Sequence, residues 1–439
     1  MILSGWGNYP RAEVRLLRPE SHDAAVAAMR LEASVIARGN GRAYGDAALN
    51  PHATVSMLAC RQVIDFDPVA GRITCEAGAL LRDVIDFILP HGWFPPVTPG
   101  TQFVTIGGMI AADVHGKNHH GDGSFGRYVE SFALALADGS VLACSPTMHP
   151  DLFAATMGGM GLTGIILSAT FRLIPIETAQ IRQQTHRAAN LREVMALFEA
   201  NNHWTYSVAW IDCLARGASL GRSLLYLGEH ARRDELPAGT DPALRRMAKK
   251  TRRIPFYFPE ITLNPWSVRA FNELYFRKGK PGQTIIDYET YFYPLDALLE
   301  WNRIYGRSGF VQYQCVLPPA ASEAGMTAIL ERAGRAGSGS FLAVLKLFGA
   351  ATDAPLSFPM PGYTLALDFR ATPAVFRLLA EFDAIVHDHG GRIYLGKDAC
   401  MGAADFRRGY PRLSEFSATR REYDPHDRFS SLQSKRLAI

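Results

Sequence analysis

Hydrophobic and polar positions divide the chain into two textures. Residues 1–175 read as short apolar runs broken by glycine-rich turns, with strands predicted at 13–17, 54–58, 63–66 and 72–76 and helices at 24–30 and 81–89. Strands at 131–137 and 141–143 flank Asp138-Gly139, and Asp-Gly between two apolar runs signals a hairpin. A short helix is expected at 151–156, then a glycine turn running into a strand that ends near Ile174. From about residue 176 glycine thins out and aromatic-rich strands are predicted at 205–212, 223–227, 288–292, 310–317, 341–348 and 363–369. Helices at 191–200, 295–305, 321–336 and 373–387 alternate with them. Half-buried strands of this kind predict one antiparallel sheet with helices on one face, an α+β architecture. A strand at 392–395 and a polar, helical tail from 406 to 439 close the chain.

The glycines carry the first chemical signal. Gly39-Asn40-Gly41-Arg42-Ala43-Tyr44-Gly45-Asp46 follows an apolar strand, and Thr105-Ile106-Gly107-Gly108 forms a second glycine-punctuated turn ahead of His115-Gly116-Lys117-Asn118-His119-His120. Glycines let backbone approach a bulky ligand and aim N–H donors at its phosphates. Neither loop has the Walker or the dinucleotide-fingerprint spacing. The stretch 99–146 is therefore expected to wrap the diphosphate and ring of a flavin. The three histidines lack an HExxH arrangement with nearby carboxylates, so no metal is expected.

Composition narrows the class. A net charge of +4 is too small to imply nucleic acid. Six cysteines without a CxxC pair argue against a disulfide framework and fit a reducing compartment. The N-terminus lacks the pattern of a signal peptide, and no run approaches the ~20 apolar residues of a membrane span, so a cytoplasmic protein is expected. One segment stands out. Between His230 and Trp266, eight arginines and lysines precede Ile254-Pro255-Phe256-Tyr257-Phe258-Pro259. A basic helix beside exposed aromatics is expected there, and residues 245–260 are a candidate peripheral contact with the inner face of the cytoplasmic membrane.

Several motifs together carry a resemblance that covers essentially the whole chain: GRAYGD (41–46), PGTQFVTIGG (99–108), HGKNHHGDGSFG (115–126), GLTGII (161–166), QYQCVLP (312–318), LSFPMPG (356–362) and GGRIYLGKD (390–398). The chain resembles the FAD-linked oxidases of the vanillyl-alcohol oxidase/p-cresol methylhydroxylase superfamily, and within it the branch that oxidises lipid-linked ribose. The resemblance implies a FAD-binding domain of two α+β subdomains at 1–175, a substrate domain at 176–389 and a segment at 390–439 that returns to the FAD domain. It places cofactor contacts on Gly39, Asn40, Gly41, Arg42, Ala43, Tyr44, Gly45 and Asp46. Further contacts fall on Gly100 and Thr105, Ile106, Gly107 and Gly108, on Ala112, Asp113, Val114 and His115, and on Ile166 and Tyr394.

The same resemblance implies the chemistry: oxidation of the 2′-hydroxyl of a polyprenylphosphoryl-β-D-ribose to the 2′-keto sugar. That is the first half of an epimerisation to arabinose, serving arabinan and cell-wall biogenesis. A separate NAD(P)H-dependent ketoreductase would complete it, with oxygen or a quinone as electron acceptor. Lys397 matches the family's catalytic lysine, and His115 would lie against the flavin and position the hydroxyl. Lys117, Trp210, Tyr291, Gln314 and Lys346 become candidate substrate contacts. A lysine inside an apolar strand, as at 346, needs an anionic partner. Some members of the superfamily bind flavin covalently through a histidine in the first glycine loop. Here that position is Tyr44, so the FAD is expected to be non-covalent. Mycobacterial members carry a cysteine, the target of nitroaromatic inhibitors, where this chain has Ala366. The alternative is the same flavin chemistry on a soluble polyol or aldonolactone.

Overall fold

Period-two alternation builds the largest element. Eight antiparallel strands lie in the order Gly282–Asp287, Gln180–Ala188, Ser223–His230, Tyr206–Ile211, Ala343–Phe348, Gly362–Arg370, Phe310–Leu317 and Arg392–Ile393. In this computed structural model, which describes residues 1–239, 244–247, 249–339 and 342–439, one face of the sheet is apolar. Val311, Tyr313, Cys315, Leu345, Leu365, Leu367 and Phe369 all point into one buried core. Helices Leu191–Ala200, Pro319–Ala336 and Pro373–Asp388 cover that face. Proline in the first turn of the last two suits a helix start, where its missing N–H costs nothing. The predicted antiparallel sheet with helices on one face is thus observed.

Residues 1–175 hold a three-stranded and a five-stranded sheet beside two two-stranded ones. Leu16–Leu17, Thr54–Ser56 and Ile36–Arg38 pair in parallel. Val141–Cys144, Val129–Ala135, Ile165–Arg172, Arg72–Glu76 and Val63–Asp67 form a five-stranded antiparallel sheet, with the predicted Asp138-Gly139 turn joining its first two strands. The C-terminal residues return here: Val35 bridges Phe429, and Arg436 bonds both Asp46 and Asp398.

Four local expectations are corrected. Tyr288–Phe292 is a helix, because the Asp287 side chain caps the N–H of Thr290. The helix expected at 295–305 is a two-residue strand, Leu298–Leu299, then a 3-10 turn, Trp301–Tyr305, separated by Glu300 at φ 57°. The turn at 105–108 is the first turn of a helix, Ile106–Ala111, capped by the Thr105 hydroxyl. The basic helix expected before Trp266 is absent among the described residues. Arg252–Arg253 is a short strand beside Leu298–Leu299, and the helix there is Pro265–Lys278. Residue 341, predicted to begin a strand, lies outside the described residues.

Candidate active site

The polar face of the large sheet closes a cavity of about 340 Å³. By the same alternation that sends Tyr313 and Leu365 into the core, Gln312, Gln314, Val344, Lys346, Thr364, Ala366 and Asp368 line the cavity. Its other wall is the loop Gly39–Gly45 with Thr105, Gly107, Gly108, Ala112, Val114, His115 and Ile166. Tyr394 and Lys397 close one end. Two glycines clamp the loop. A Cβ on Gly39 would stand 2.2 Å from the Thr105 hydroxyl, and one on Gly45 would stand 2.1 Å from the Asp398 carbonyl oxygen. Close approach of a side chain at Gly39 and of backbone at Gly45 therefore requires these residues. Gly100 alone in this group leaves open space.

The donor set fits the diphosphate of FAD. Among the described residues, the backbone N–H groups of Asn40, Gly41, Arg42 and Ala43 have no protein acceptor, and Gly41 is left-handed at φ 63°. Successive free amides around a left-handed glycine form an anion-binding concavity. Arg42 adds charge: its guanidinium lies 4.0 Å from the centre of the Trp6 ring, and its buried Nε has no partner. When bound, FAD supplies the acceptor for a hydride.

Three buried titratable groups line the same cavity. Lys397 follows the strand Arg392–Ile393 on a turn in which its N–H donates to the Tyr394 carbonyl at 3.0 Å. Its Nζ is 3.8 Å from the centre of the Tyr44 ring. Burial pulls its pKa down to about 7, opposed by the charge of Asp368 and assisted by that of Lys346. Asp368 accepts from Gln312 Nε2 at 2.5 Å and from Tyr305 Oη at 3.3 Å, and burial pushes its carboxyl up to about 7. Lys346 makes no ion pair or hydrogen bond among the described residues, and burial pulls its pKa down to about 8.

His115 is held neutral. The Thr364 hydroxyl donates to the Cys315 carbonyl at 2.8 Å, so its oxygen must accept from the Gln314 amide nitrogen at 3.2 Å. That nitrogen then faces His115 Nε2 at 3.0 Å as a second donation. Nε2 is the acceptor, and the ring proton sits on Nδ1. Burial, with Lys346 and Lys397 nearby, holds the imidazole well below its usual pKa.

Most expected positions meet at this cavity, and several do not. Asp46 faces away, because its carboxylate binds Arg436 at 2.7 Å. Ile106 is fully buried in the apolar core. Asp113 turns inward to Ser357, Thr352 and the N–H of Gly126. Lys117 donates to the Tyr291 carbonyl and lies against the Tyr291 ring, and neither residue lines the cavity. Trp210 packs against Tyr275 with ring centres 4.8 Å apart and planes tilted by 50°, toward the helix Pro265–Lys278. His119 Nδ1 accepts from Gly349 N–H and His120 Nε2 contacts the Trp204 carbonyl, so the three histidines do not converge. Gln312, Thr364, Asp296, Trp301 and Asp368 line the cavity without having been anticipated. For Gln312, Thr364 and Asp368 the available signal was their alternation with core residues along two predicted strands.

Comparison with known proteins agrees with the geometry. Residues 15–145 match the model of an FAD-binding domain, and residues 365–437 match that of D-arabinono-1,4-lactone oxidase. The chain is 39% identical to decaprenylphosphoryl-beta-D-ribose oxidase of Mycolicibacterium smegmatis, over 100% of this chain and 97% of that one. It is 33% identical to an uncharacterised protein from the mprA 5′ region of Streptomyces coelicolor, over 82% of this chain and 100% of that one. An L-gulono-1,4-lactone dehydrogenase of Mycobacterium tuberculosis is 23% identical over 98% of each. With free amides for a diphosphate on the first glycine loop and a buried lysine lining the same cavity, the chain belongs to the family of FAD-dependent oxidoreductases that includes decaprenylphosphoryl-beta-D-ribose oxidase.

Proposed function

We propose that the chain oxidises the 2′-hydroxyl of a polyprenylphosphoryl-β-D-ribose to the ketone, with Lys397 as base. The observation that carries this reading is that two buried lysines, Lys397 and Lys346, line one cavity. Lys397, with a pKa near 7, can accept the hydroxyl proton at Nζ while the hydride leaves the same carbon. Lys346 offers an unpaired cation to the phosphate that joins sugar to lipid. Neutral His115, its Nε2 occupied by Gln314, orients the hydroxyl through Nδ1–H rather than removing its proton.

The product ketone calls for a separate NAD(P)H-dependent reductase to complete the epimerisation, and oxygen or a quinone reoxidises the flavin. The division at residues 176 and 390 belongs to the same reading. So does a cytoplasmic position against the membrane, which the six free thiols support. No described helix is long and apolar enough to cross a membrane.

Anaerobic bleaching of the flavin near ~450 nm tests the substrate, since reduction removes the oxidised flavin band. Farnesylphosphoryl ribose should bleach it within a turnover, and simple polyols should not. Bleaching by a polyol or an aldonolactone instead would establish the second reading, which the lactone-oxidase match at residues 365–437 favours.

A further inference from the structure

The helix Pro265–Lys278 and the strap before it carry an apolar surface that nothing among the described residues covers. Ile261 is 80% exposed, Trp266 78%, Leu274 60% and Phe256 60%. On the helix, Trp266, Ala270 and Leu274 recur every fourth residue, so they share one face, with Phe271 beside them. The opposite face carries Val268 and Asn272 into the protein. Solvent-facing Trp and Leu in line on a helix are the reverse of the usual polar outer face.

Positive charge is concentrated in the segment that carries this patch. Residues 249–280 contain eight lysines and arginines against two acidic residues, whereas the whole chain is only +4, so the remainder is slightly negative. Lys249, Arg253 and Arg277 are paired with Asp287, Glu300 and Glu273, while Lys250, Lys278 and Lys280 are exposed. Apolar and aromatic side chains on a cationic segment suit the interface of an anionic bilayer, where rings and aliphatics enter the headgroup region and cations meet lipid phosphates.

The patch is also joined to the cavity. Arg252 and Ile254 donate backbone hydrogen bonds to Ala297 and Leu299, and the Arg303 guanidinium binds the carbonyls of Ile254 and Pro255. Leu263 packs against the cluster of Tyr44, Trp301 and Phe310, and both Tyr44 and Trp301 line the cavity.

We propose that Ile261, Trp266, Leu274 and Phe256, with the basic residues of the same segment, dock the protein onto an anionic lipid bilayer beside the cavity's Trp301 wall. The passage of a lipid-linked sugar from bilayer to cavity rests on the substrate reading above. The docking itself does not, because vesicle binding and flavin bleaching are separate measurements.

The test is sedimentation of the FAD-bound protein with vesicles of phosphatidylcholine, alone or mixed with phosphatidylglycerol. The protein should pellet with the mixed vesicles, less so at high salt. The triple variant Ile261→Ser, Trp266→Ser, Leu274→Ser should bind roughly tenfold more weakly while keeping its flavin spectrum. Quenching of tryptophan fluorescence by brominated lipid should be lost in Trp266→Phe, which keeps the proposal falsifiable if the triple variant does not fold. Absence of vesicle binding, or equal binding and quenching by the variants, would overturn it. So would a concentration-dependent dimer that the triple variant dissolves without any vesicle binding, since the occupant would then be a second copy.

Discussion

Lys397 Nζ stands 3.8 Å from the centre of the Tyr44 ring, so a residue near the C-terminus faces the first glycine loop. The contact is short because Tyr44 N–H donates to the Gly396 carbonyl at 3.1 Å, tying loop and turn together. A cation over an aromatic face needs no carboxylate partner in contact. Its amine is therefore free for substrate. Replacing Lys397 by Ala should leave a yellow protein whose turnover falls by about 10²–10⁴, the usual share of a positioned proton-transfer group. The measurement is stopped-flow bleaching beside the flavin absorbance of the same sample.

The pH dependence separates base from cation. Burial holds Lys397 near 7, below the ordinary lysine value. A base must be neutral to act, so kcat/KM should rise about tenfold per pH unit below ~7, and should fall again above about 8, where Lys346 loses the proton that binds the phosphate. A lysine that acted only as a cation would give the opposite slope, with rates falling as the pH passes 7. A kcat/KM profile from pH 5.5 to 9 decides between them.

Tyr44 bears on how the cofactor is held. Its ring is wedged edge-on against Phe310 at 5.4 Å, and burial pushes its hydroxyl pKa up. The resemblance implies that this phenol stands where other members of the superfamily carry the histidine that links flavin, so a non-covalent cofactor is predicted. Acid precipitation should therefore release all the flavin and leave a colourless pellet. A yellow pellet would show a covalent bond.

Gln314 and Lys346 were anticipated from the resemblance, and strand alternation explains why they face the cavity. The residues that interleave with Tyr313, Leu365 and Leu367 must share the other face. Asp368 and Gln312 sit on that face by the same rule, but nothing in the sequence says that it borders a cavity rather than solvent. Asp46 was misplaced because its partner Arg436 lies 390 residues away. Tyr288–Phe292 misled because aromatic runs favour strands, and a single capping carboxylate at Asp287 outweighs that preference. The exposed face of Pro265–Lys278 was obscured by the basic run ahead of it, which had drawn the expected helix too early.

Ala366 opens a specific test of pocket shape. It lines the cavity between Thr364 and Asp368, and the resemblance implies that this is the position of the inhibitor-reactive cysteine of mycobacterial members. The native chain should form no such adduct, and Ala366→Cys should gain one. Mass spectrometry of the intact protein after turnover with the inhibitor would show the added mass only in the variant.

Lys346 predicts an unusual stability profile. Its folded-state pKa of about 8 lies below the ordinary 10.5, because burial disfavours the ammonium and no anion faces it. Between those two values the unfolded chain binds more protons than the folded one, so this group's contribution to stability grows as the pH rises. Below about pH 8 both states are protonated and the full cost of burying the charge is felt. Lys346→Met removes that cost. The methionine variant should therefore gain on the native protein most at pH 7. Its advantage should shrink by about 2 kcal/mol on moving to pH 9.5. Urea unfolding of both proteins at the two pH values measures the difference. A phosphate-bearing substrate bound beside Lys346 should abolish much of it by supplying the missing anion. An advantage that does not change with pH would mean the lysine already has a partner in the folded protein.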